Sequence, residues 1–226
     1  MVRLFMSPSE LTLLLYRGEW NKMKMIFFDT ETTGIRPGSI CQLSYISVNT
    51  SVKPNTTVGR NIFFTVDYIE PGAEKIHGFS VEALYTLSNG NYFEDCFESF
   101  IEDFRQADIL IGHNVNFDIK FLIHELEGCG EELTPKHSFC TMNYYKDICK
   151  INNTRGRYKQ PKLTEVVQFL SLSDKDIDNM TMKFFGETGS FHDARFDTTA
   201  TYLIVTEGIK TGYLPRQYFS KLIGAV

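Results

Sequence analysis

The chain has 226 residues, 42% of them hydrophobic and 23% charged, with a formal net charge of -5. This length suits one domain with a sizeable core, and the acidic balance does not indicate a nucleic-acid-binding protein. The five cysteines are widely spaced and match no zinc pattern, so reduced thiols in a cytoplasmic protein are expected. No stretch is long and apolar enough for a secretory or membrane-spanning segment, so no membrane association is expected.

A short segment precedes the first predicted strand. Within it, Ser7, Pro8 and Glu10 form a capping box with proline at the first helical position, and several leucines follow. We expect a helix of a few turns that packs on the domain. Docking of this helix to a partner chain is the alternative.

The first predicted strand carries the strongest chemical signal. The apolar run 26–28 indicates a buried strand, and Asp29 and Glu31 follow it one residue apart. Residues i and i+2 of a strand point to the same face, so the two carboxylates should project together while Thr30 points to the interior. Like charges this close repel unless a cation neutralises them, and divalent cations prefer such oxygen ligands. The alternative is a solvated turn at the strand end.

The rest of the pattern predicts an antiparallel meander followed by alternating helices and strands. Pro71 and Gly72 should break the chain, and the polar segment 173–186 has no clear form. We therefore expect an α/β domain with a mixed five-stranded sheet and helices on both faces. The later strands are predicted at 40–48, 61–66, 107–111 and 139–142, and the helices at a short stretch from Ser80, at 91–104, from 112–118 to about Glu127, at 163–172, from Phe191 onward and at 215–223.

Further polar residues stand where helices are predicted to begin. Asp118 directly follows a buried strand, where an aspartate usually interacts with the helix dipole, and the Asn114 amide can fix the loop or contact a ligand. His192 and Asp197 are five residues apart, about 140° around a helix, so they cannot share one narrow helical face. If His192 lies on the loop before the helix, both side chains can approach one site. A histidine with an ordinary structural role is the alternative.

The segments FFDTETTG, GHNVNFDIKFL and HDARFD, in that order, resemble the three motifs of the DEDDh family of 3′–5′ exonucleases. They are most similar to the epsilon-type (DnaQ-like) proofreading exonucleases of DNA polymerase III, and IHGFS, FCTM and KLTEVVQFL add to the likeness. The resemblance covers about residues 25–209 and implies a ribonuclease H-like fold. It divides the chain into an N-terminal extension (1–23), an exonuclease domain (24–210) and a C-terminal tail that we expect to be helical (211–226).

The resemblance implies a role for each of five residues. Asp29, Glu31 and Asp197 would bind one divalent cation, and Asp29 would also reach a second. Asp118 would complete the metal site, and His192 would be the general base. The implied cofactors are two Mg²⁺ or Mn²⁺ ions about 4 Å apart, and the implied reaction is in-line displacement at the last phosphodiester, which releases a nucleoside 5′-monophosphate.

The same resemblance implies contacts to the substrate. The turn of Thr32, Thr33 and Gly34 would receive the terminal 3′-hydroxyl and its sugar through backbone groups. Ile35 would wedge between the last two bases, and its alternative is a loop residue that plugs the edge of the core. His77 would line the nucleotide pocket, and its alternative is a histidine that stabilises a turn.

Three features are not explained by the resemblance alone. Gln42 stands where proofreading relatives commonly place a glutamate, which puts closeness to the replicative proofreaders in doubt. The basic segment 146–162 carries six bases against one acid and includes Tyr158, so it either follows the phosphates of the strand or is a solvated loop. The polar segment 173–190 is a candidate flap that carries His192.

Together, these inferences predict a metal-dependent 3′–5′ exonuclease that acts on single-stranded DNA or frayed DNA ends, with DNA favoured over RNA. One alternative is a 3′–5′ exoribonuclease similar to ribonuclease T or oligoribonuclease. Another is a non-catalytic scaffold subunit, which would have no use for four like charges in one cleft. The expected partners are the 3′ end of a single strand and a DNA polymerase or another replication or repair protein.

Overall fold

The computed structural model describes residues 22–52 and 55–224, so the helix expected near the start of the chain lies outside the described residues. Within them, a five-stranded mixed sheet has the order β3-β2-β1-β4-β5. Strands β1 and β2 and strands β2 and β3 pair antiparallel, whereas β4 and β5 continue the sheet in parallel from β1. This confirms the predicted sheet. The strands are β1 Lys24–Thr32, β2 Ile40–Asn49, β3 Thr56–Phe63, β4 Ile109–Gly112 and β5 Ser138–Cys140.

Helices cover both faces of this sheet, as expected. Before β4 lie α1 Pro71–His77, α2 Val81–Leu87, α3 Phe93–Cys96 and α4 Ile101–Gln106; after it lie α5 Val115–Gly128, α6 Thr141–Cys149, α7 Leu163–Phe169, α8 Asp174–Phe185, α9 Ala194–Thr211 and α10 Tyr218–Leu222. None of the helices in the described ranges is both long and apolar enough to span a bilayer. The five cysteines are unpaired thiols.

The central strand β1 divides the interior into two main cores. Met25 and Phe27 face one core, which is completed by α7, α8 and α9, and the Phe27 ring meets Tyr202 edge-on at 5.2 Å. Ile26 and Phe28 face the other core, between the sheet and helices α4 and α5. Because successive residues of a strand point to opposite faces, any polar residue that extends β1 must face either α9 or α5.

The third strand starts earlier than predicted. The prediction of 61–66 was wrong, because β3 pairs with β2 from Asn49 opposite Thr56 to Gln42 opposite Phe63. The polar residues at its start become a strand because the partner edge supplies their hydrogen bonds, which local sequence does not reveal. Gly59 in this strand lies under α8, where an added Cβ would come within 2.7 Å of the Phe184 carbonyl oxygen.

The long amphipathic helix predicted at 91–104 is broken. It forms α3, a 3-10 turn at Phe97–Ser99, and α4, with a non-helical backbone at Phe100 (φ -133°, ψ -18°). Phe100 packs against Phe64 and Phe93. This aromatic cluster supplies enough buried area to override the helical periodicity. Of the apolar residues at helical spacing, four are buried and one is partly buried: Phe93, Phe100, Ile101 and Phe104, and Phe97.

Three helix boundaries also differ from the prediction. Pro71 begins α1 at a position where a proline is favoured and so does not break the chain. The polar segment 173–186 contains α8, whose capping box joins Ser173 and Asp176 and which ends at Gly186 with φ +75°. The flap expected at 173–190 is therefore wrong over the length of α8. The last long helix begins at Ala194, not at Phe191, because the Asp193 side chain caps it.

Candidate active site

Two acids extend β1 on the face that meets α9. Beyond Phe27, which pairs with Ile111, β1 continues past the end of its contact with β4. Asp29 and Glu31 follow the apolar residues Met25 and Phe27 on the same face, as the alternation predicts. Carboxylate oxygens of Asp29, Glu31 and Asp197 all lie within 4.8 Å of one another. The structure thus brings together three of the predicted metal ligands from two segments far apart in sequence.

Asp197 stands in the first turn of α9 and has two differently placed oxygens. Its Oδ2 accepts the backbone N–H of His192 at 3.3 Å. Its Oδ1 is buried and has no hydrogen-bond partner among the described residues. A buried carboxylate oxygen is normally paired, so an unpaired one beside two more acids is suited to a cation. The donor set therefore fits a divalent metal ion.

Asp118 reaches the end of β1 from the other face. It is buried in the first turn of α5, and its Oδ1 accepts both the Thr30 hydroxyl at 2.8 Å and the Thr30 backbone N–H at 3.1 Å. The aspartate thus occupies the edge of β1 where β4 no longer pairs with it. Thr30 points to the interior, as predicted. Asp118 is not one of the three clustered acids, but its charge is among those that raise the pKa of Asp29.

Burial perturbs the titration of all four acids. It raises the pKa of Asp29 well above its ordinary value, with the charge of Asp118 as the next contribution. Burial and then the charge of Asp197 raise the pKa of Glu31 to about 9. Burial likewise raises the pKa of Asp118 and of Asp197 to about 7. Near neutral pH the site therefore retains protons, which a bound divalent cation would displace.

His192 lies on the loop that leads into α9, outside the acid cluster. Its backbone is left-handed (φ +71°), its side chain is exposed, and helix α9 begins two residues later. Because His192 lies before the helix and Asp197 lies within it, the two side chains can face one site although they are five residues apart. His192 also lies close enough to His77 to contribute to lowering the pKa of His77, after the larger effect of burial.

A cavity of about 310 Å³ opens beside the acids. Of the predicted substrate residues, Thr32, Gly34, Ile35 and His77 line it, together with Glu31. Thr33 and Asn114 are not among the described residues that line it: Thr33 hydrogen-bonds to the Ser39 carbonyl, and Asn114 is an exposed left-handed residue (φ +75°) before α5. Among the other lining residues, Glu70 lies outside the quoted motifs, whereas Ile76 and Phe117 lie within IHGFS and GHNVNFDIKFL but were assigned no role from the sequence.

Ile35 and His77 can be compared with their alternatives. Ile35 is 82% exposed, so it does not plug the edge of the core. His77 does stabilise a turn, because its Nδ1 accepts the backbone N–H of Phe79 at 3.0 Å and its ring stacks on the Phe79 ring. Because Nδ1 accepts this bond, the proton of the neutral imidazole is on Nε2. His77 can therefore stabilise the turn and still be a hydrogen-bond donor among the residues that line the cavity.

Gln42 joins the sheet to the start of α9. It is fully buried opposite Glu31, and its Oε1 accepts the Ala194 backbone N–H at 3.1 Å. Its Nε2 donates to Asp193 Oδ1 at 3.1 Å and to Asn61 Oδ1 at 2.9 Å. A glutamate could not donate these two bonds and would add a carboxylate beside Asp193. The hydrogen bonds of these partners therefore explain why an amide occupies this position, and two of the partners are about 150 residues away in sequence.

Comparisons with known proteins agree with this geometry. A family model described as "Exonuclease", of the RNase T type, matches residues 26–205. DNA polymerase III subunit epsilon of Rickettsia felis is 38% identical over 112 residues, which cover 47% of this chain and 45% of that protein. The chain thus spans about half the length of this curated relative.

Solved structures share the fold at low sequence identity. E. coli exonuclease I in complex with a 5cy-dT13 oligonucleotide matches 90% of this chain and 43% of its own, with a TM-score of 0.66 and 15% identity. The zinc-ion-bound form of the E. coli exonuclease I–ssDNA complex matches 87% of this chain and 42% of its own, with a TM-score of 0.64 and 16% identity. These matches confirm the expected ribonuclease H-like fold.

The raised pKa of Glu31 predicts a pH-dependent stability. Its folded pKa of about 9 lies above the ordinary 4.5, so the folded chain binds more protons between these values and loses stability as pH rises. In EDTA, we expect Glu31→Gln to match wild type near about pH 5 and to melt at a higher temperature near about pH 8. Thermal melts across this range, repeated with Mn²⁺, measure the effect. Parallel pH curves for both proteins would contradict the prediction.

The bonds of Gln42 predict a second effect. Gln42→Glu removes two donated hydrogen bonds and places a buried carboxylate beside Asp193, so we expect a loss of about 2 kcal/mol or more in the free energy of unfolding. The loss should grow with rising pH as the new carboxyl ionises. Urea unfolding at several pH values tests this, with Gln160→Glu, an exposed glutamine bonded to Asn143, as the matched control. An equal effect in both variants would refute the role of Gln42.

Proposed function

We propose, from the fact that the chain belongs to the RNase T exonuclease family, that it is a metal-dependent 3′–5′ exonuclease of the DEDDh type. It would remove nucleoside 5′-monophosphates from the 3′ end of single-stranded DNA or of frayed DNA ends. The observation that carries this proposal is the cluster of Asp29, Glu31 and Asp197, with an unpaired buried oxygen, beside a cavity large enough for a nucleotide.

The donor set supports the proposed metal-binding residues. Asp29, Glu31 and Asp197 would hold the cations, with Asp118 completing the site from the α5 side. Mg²⁺ or Mn²⁺ is preferred because every ligand is a carboxylate oxygen. Two such ions, when bound, would activate an attacking water and stabilise the charge on the leaving 3′ oxygen. The raised pKa values of the four acids support this assignment, since buried acids so close together need a compensating charge.

The remaining residues would position the substrate and move one proton. The turn of Thr32, Thr33 and Gly34 would hold the terminal sugar, and His77 would line its pocket. Asn114, in the loop before α5, would contact the ligand through its amide. Exposed Ile35 would wedge against the penultimate base. His192 would accept the proton of the attacking water as the bond between phosphorus and the 3′ oxygen breaks. Its exposed side chain lies on the loop before α9, from which the ring would approach the site after the substrate binds.

The relatives support DNA as the substrate and a polymerase as the context. The matched curated protein is named as a subunit of DNA polymerase III, and the structural neighbour was solved with a DNA oligonucleotide. The chain spans 45% of the first protein and 43% of the second, so DNA as the substrate and a polymerase as the partner are both proposed here. A replication or repair polymerase that presents a frayed primer end would be the partner.

The test is an incubation of 5′-labelled single-stranded DNA and RNA oligomers with Mg²⁺ or Mn²⁺, beside an Asp29→Ala control. We expect a ladder that shortens from the 3′ end of DNA, release of nucleoside 5′-monophosphates and no products with EDTA or with the control. Shortening of RNA alone would make the chain an exoribonuclease. No shortening of either polymer, or equal shortening by Asp29→Ala, would refute the proposal.

The role of His192 gives a separate prediction. His192→Ala should keep the thermal stabilisation by Mn²⁺ while kcat falls by about 10²- to 10⁴-fold, which is the usual contribution of a general base. His124→Ala, at an exposed position on α5, is the matched control and should leave kcat unchanged. Turnover by His192→Ala equal to that of the control would remove the histidine from the mechanism.

A further inference from the structure

We propose that residues 150–160 form a nucleic-acid-binding arm, here named the basic hairpin, which holds phosphates of the strand upstream of its 3′ end. This inference rests on the proposed function, and it concerns the longer substrate rather than the reacting phosphodiester. Four kinds of observation support it: the ordered backbone of the hairpin, its unpaired cations, its attachment beside the acid site and the charge of the rest of the chain.

The basic hairpin has a defined backbone. Lys159 donates its N–H to the Ile151 carbonyl at 2.8 Å, and Asn153 donates to Arg157 at the same distance. The Asn153 side chain accepts the backbone N–H groups of both Arg155 and Arg157, and Gly156 takes the left-handed conformation (φ +71°) that the tight turn requires. The arginine side chains are therefore projected from a hydrogen-bonded turn.

Three of the four cations of the basic hairpin are exposed and have no ion-pair partner among the described residues. Lys150, Arg155 and Arg157 are exposed, and none of them forms an ion pair within the described part of the chain. Lys159, by contrast, is paired with Glu165 at 2.6 Å. Tyr158 presents an aromatic ring that is 44% exposed next to Arg157. Clustered cations with an exposed aromatic ring between them are the usual means of holding a single strand by its phosphates and bases.

The hairpin is attached at the edge of the sheet that carries the acids. The Pro161 carbonyl and the Thr141 hydroxyl contact the two ring nitrogens of His113, each at 3.0 Å. His113 directly follows β4, whose last residue, Gly112, lies against the Phe28 carbonyl just before Asp29. Helix α6 runs from Thr141, which contacts His113, to the start of the hairpin. Its length is about 14 Å, which is the length of roughly four stacked nucleotides.

The charge distribution favours a polyanion as the occupant. The whole chain has five more acids than bases, whereas residues 146–162 have six bases and one acid. A strand whose terminal phosphate enters a cluster of carboxylates gains little from the surface around it, so cationic contacts are needed farther along. A membrane is the less favoured partner, because the exposed tip at 152–158 offers a single aromatic ring and no aliphatic residue for insertion.

The experiment compares Arg155→Gln/Arg157→Gln with Lys175→Gln/Lys183→Gln, which removes the same charge from exposed positions on α8. For a DNA oligomer of about twenty nucleotides, we expect the hairpin variant to raise KM about tenfold. We also expect it to reduce the slope of log Kd against log salt by about 1.4, which corresponds to two lost phosphate contacts on a single strand. Hydrolysis of a dinucleotide, which is too short to reach the hairpin, should be unchanged. The control variant should behave as wild type in both assays.

Binding measured by fluorescence anisotropy in EDTA, in an Asp29→Asn background, separates this inference from the proposed function. If wild type shortens no oligomer, the proposed function fails, and the salt slope still decides the role of the hairpin. Unchanged KM and slope in the hairpin variant, or an equal loss on the dinucleotide, would overturn the inference. Binding to phosphatidylserine vesicles that the hairpin variant loses, with unchanged binding to the oligomer, would overturn it in favour of a membrane.

Discussion

Four carboxylates share one end of β1, and their mutual repulsion is the constraint that the surrounding structure must satisfy. Each is removed from water, which disfavours its charged form, and the others add to that cost. Helix dipoles and hydrogen bonds reduce that cost. Asp118 and Asp197 both stand in the first turns of helices, where the dipole favours negative charge. Asp118 receives two hydrogen bonds from Thr30, and Asp197 receives one from the His192 backbone. A bound cation would neutralise the negative charge that the dipoles and hydrogen bonds leave uncompensated.

The central strand makes this arrangement rigid. Residues Met25 to Phe28 alternate between two buried cores, so a slip of β1 by one residue would turn each of these side chains into the opposite core and would move Asp29 and Glu31 away from α9. The acids that continue the strand inherit that register. The start of α9 is tied to the same sheet through Gln42, so Asp197 keeps its distance from the strand. His192 is the exception, because it stands on a loop with a left-handed backbone and an exposed ring.

Positive and negative charge are separated along the edge of the sheet. In the proposed function, the acids at the end of β1 would hold cations beside the reacting phosphate, whereas the basic hairpin would hold other phosphates of the strand. The two regions are connected through His113, a partly buried residue whose pKa is lowered to about 4 by burial. This histidine stays neutral near physiological pH and serves as a fixed joint between β4, α6 and the end of the hairpin. A net acidic chain can thus present both kinds of site to one polyanion.

Local pattern in the sequence was sufficient for much of this. Period-two alternation placed Asp29 and Glu31 on one face, helical spacing excluded a shared face for His192 and Asp197, and motif order indicated the family. Local pattern gave wrong predictions where contacts with residues distant in sequence determine the secondary structure. The aromatic contacts of Phe100 broke a helix that periodicity predicted, and the edge of β2 extended β3 into polar residues. Only the folded chain brings Glu70, Ile76 and Phe117 to the cavity. The contact of Gln42 with the start of α9 likewise depends on the tertiary structure. Side-chain direction within one element follows from backbone geometry, whereas contacts between elements depend on the packing of the whole chain, which no short stretch of sequence encodes.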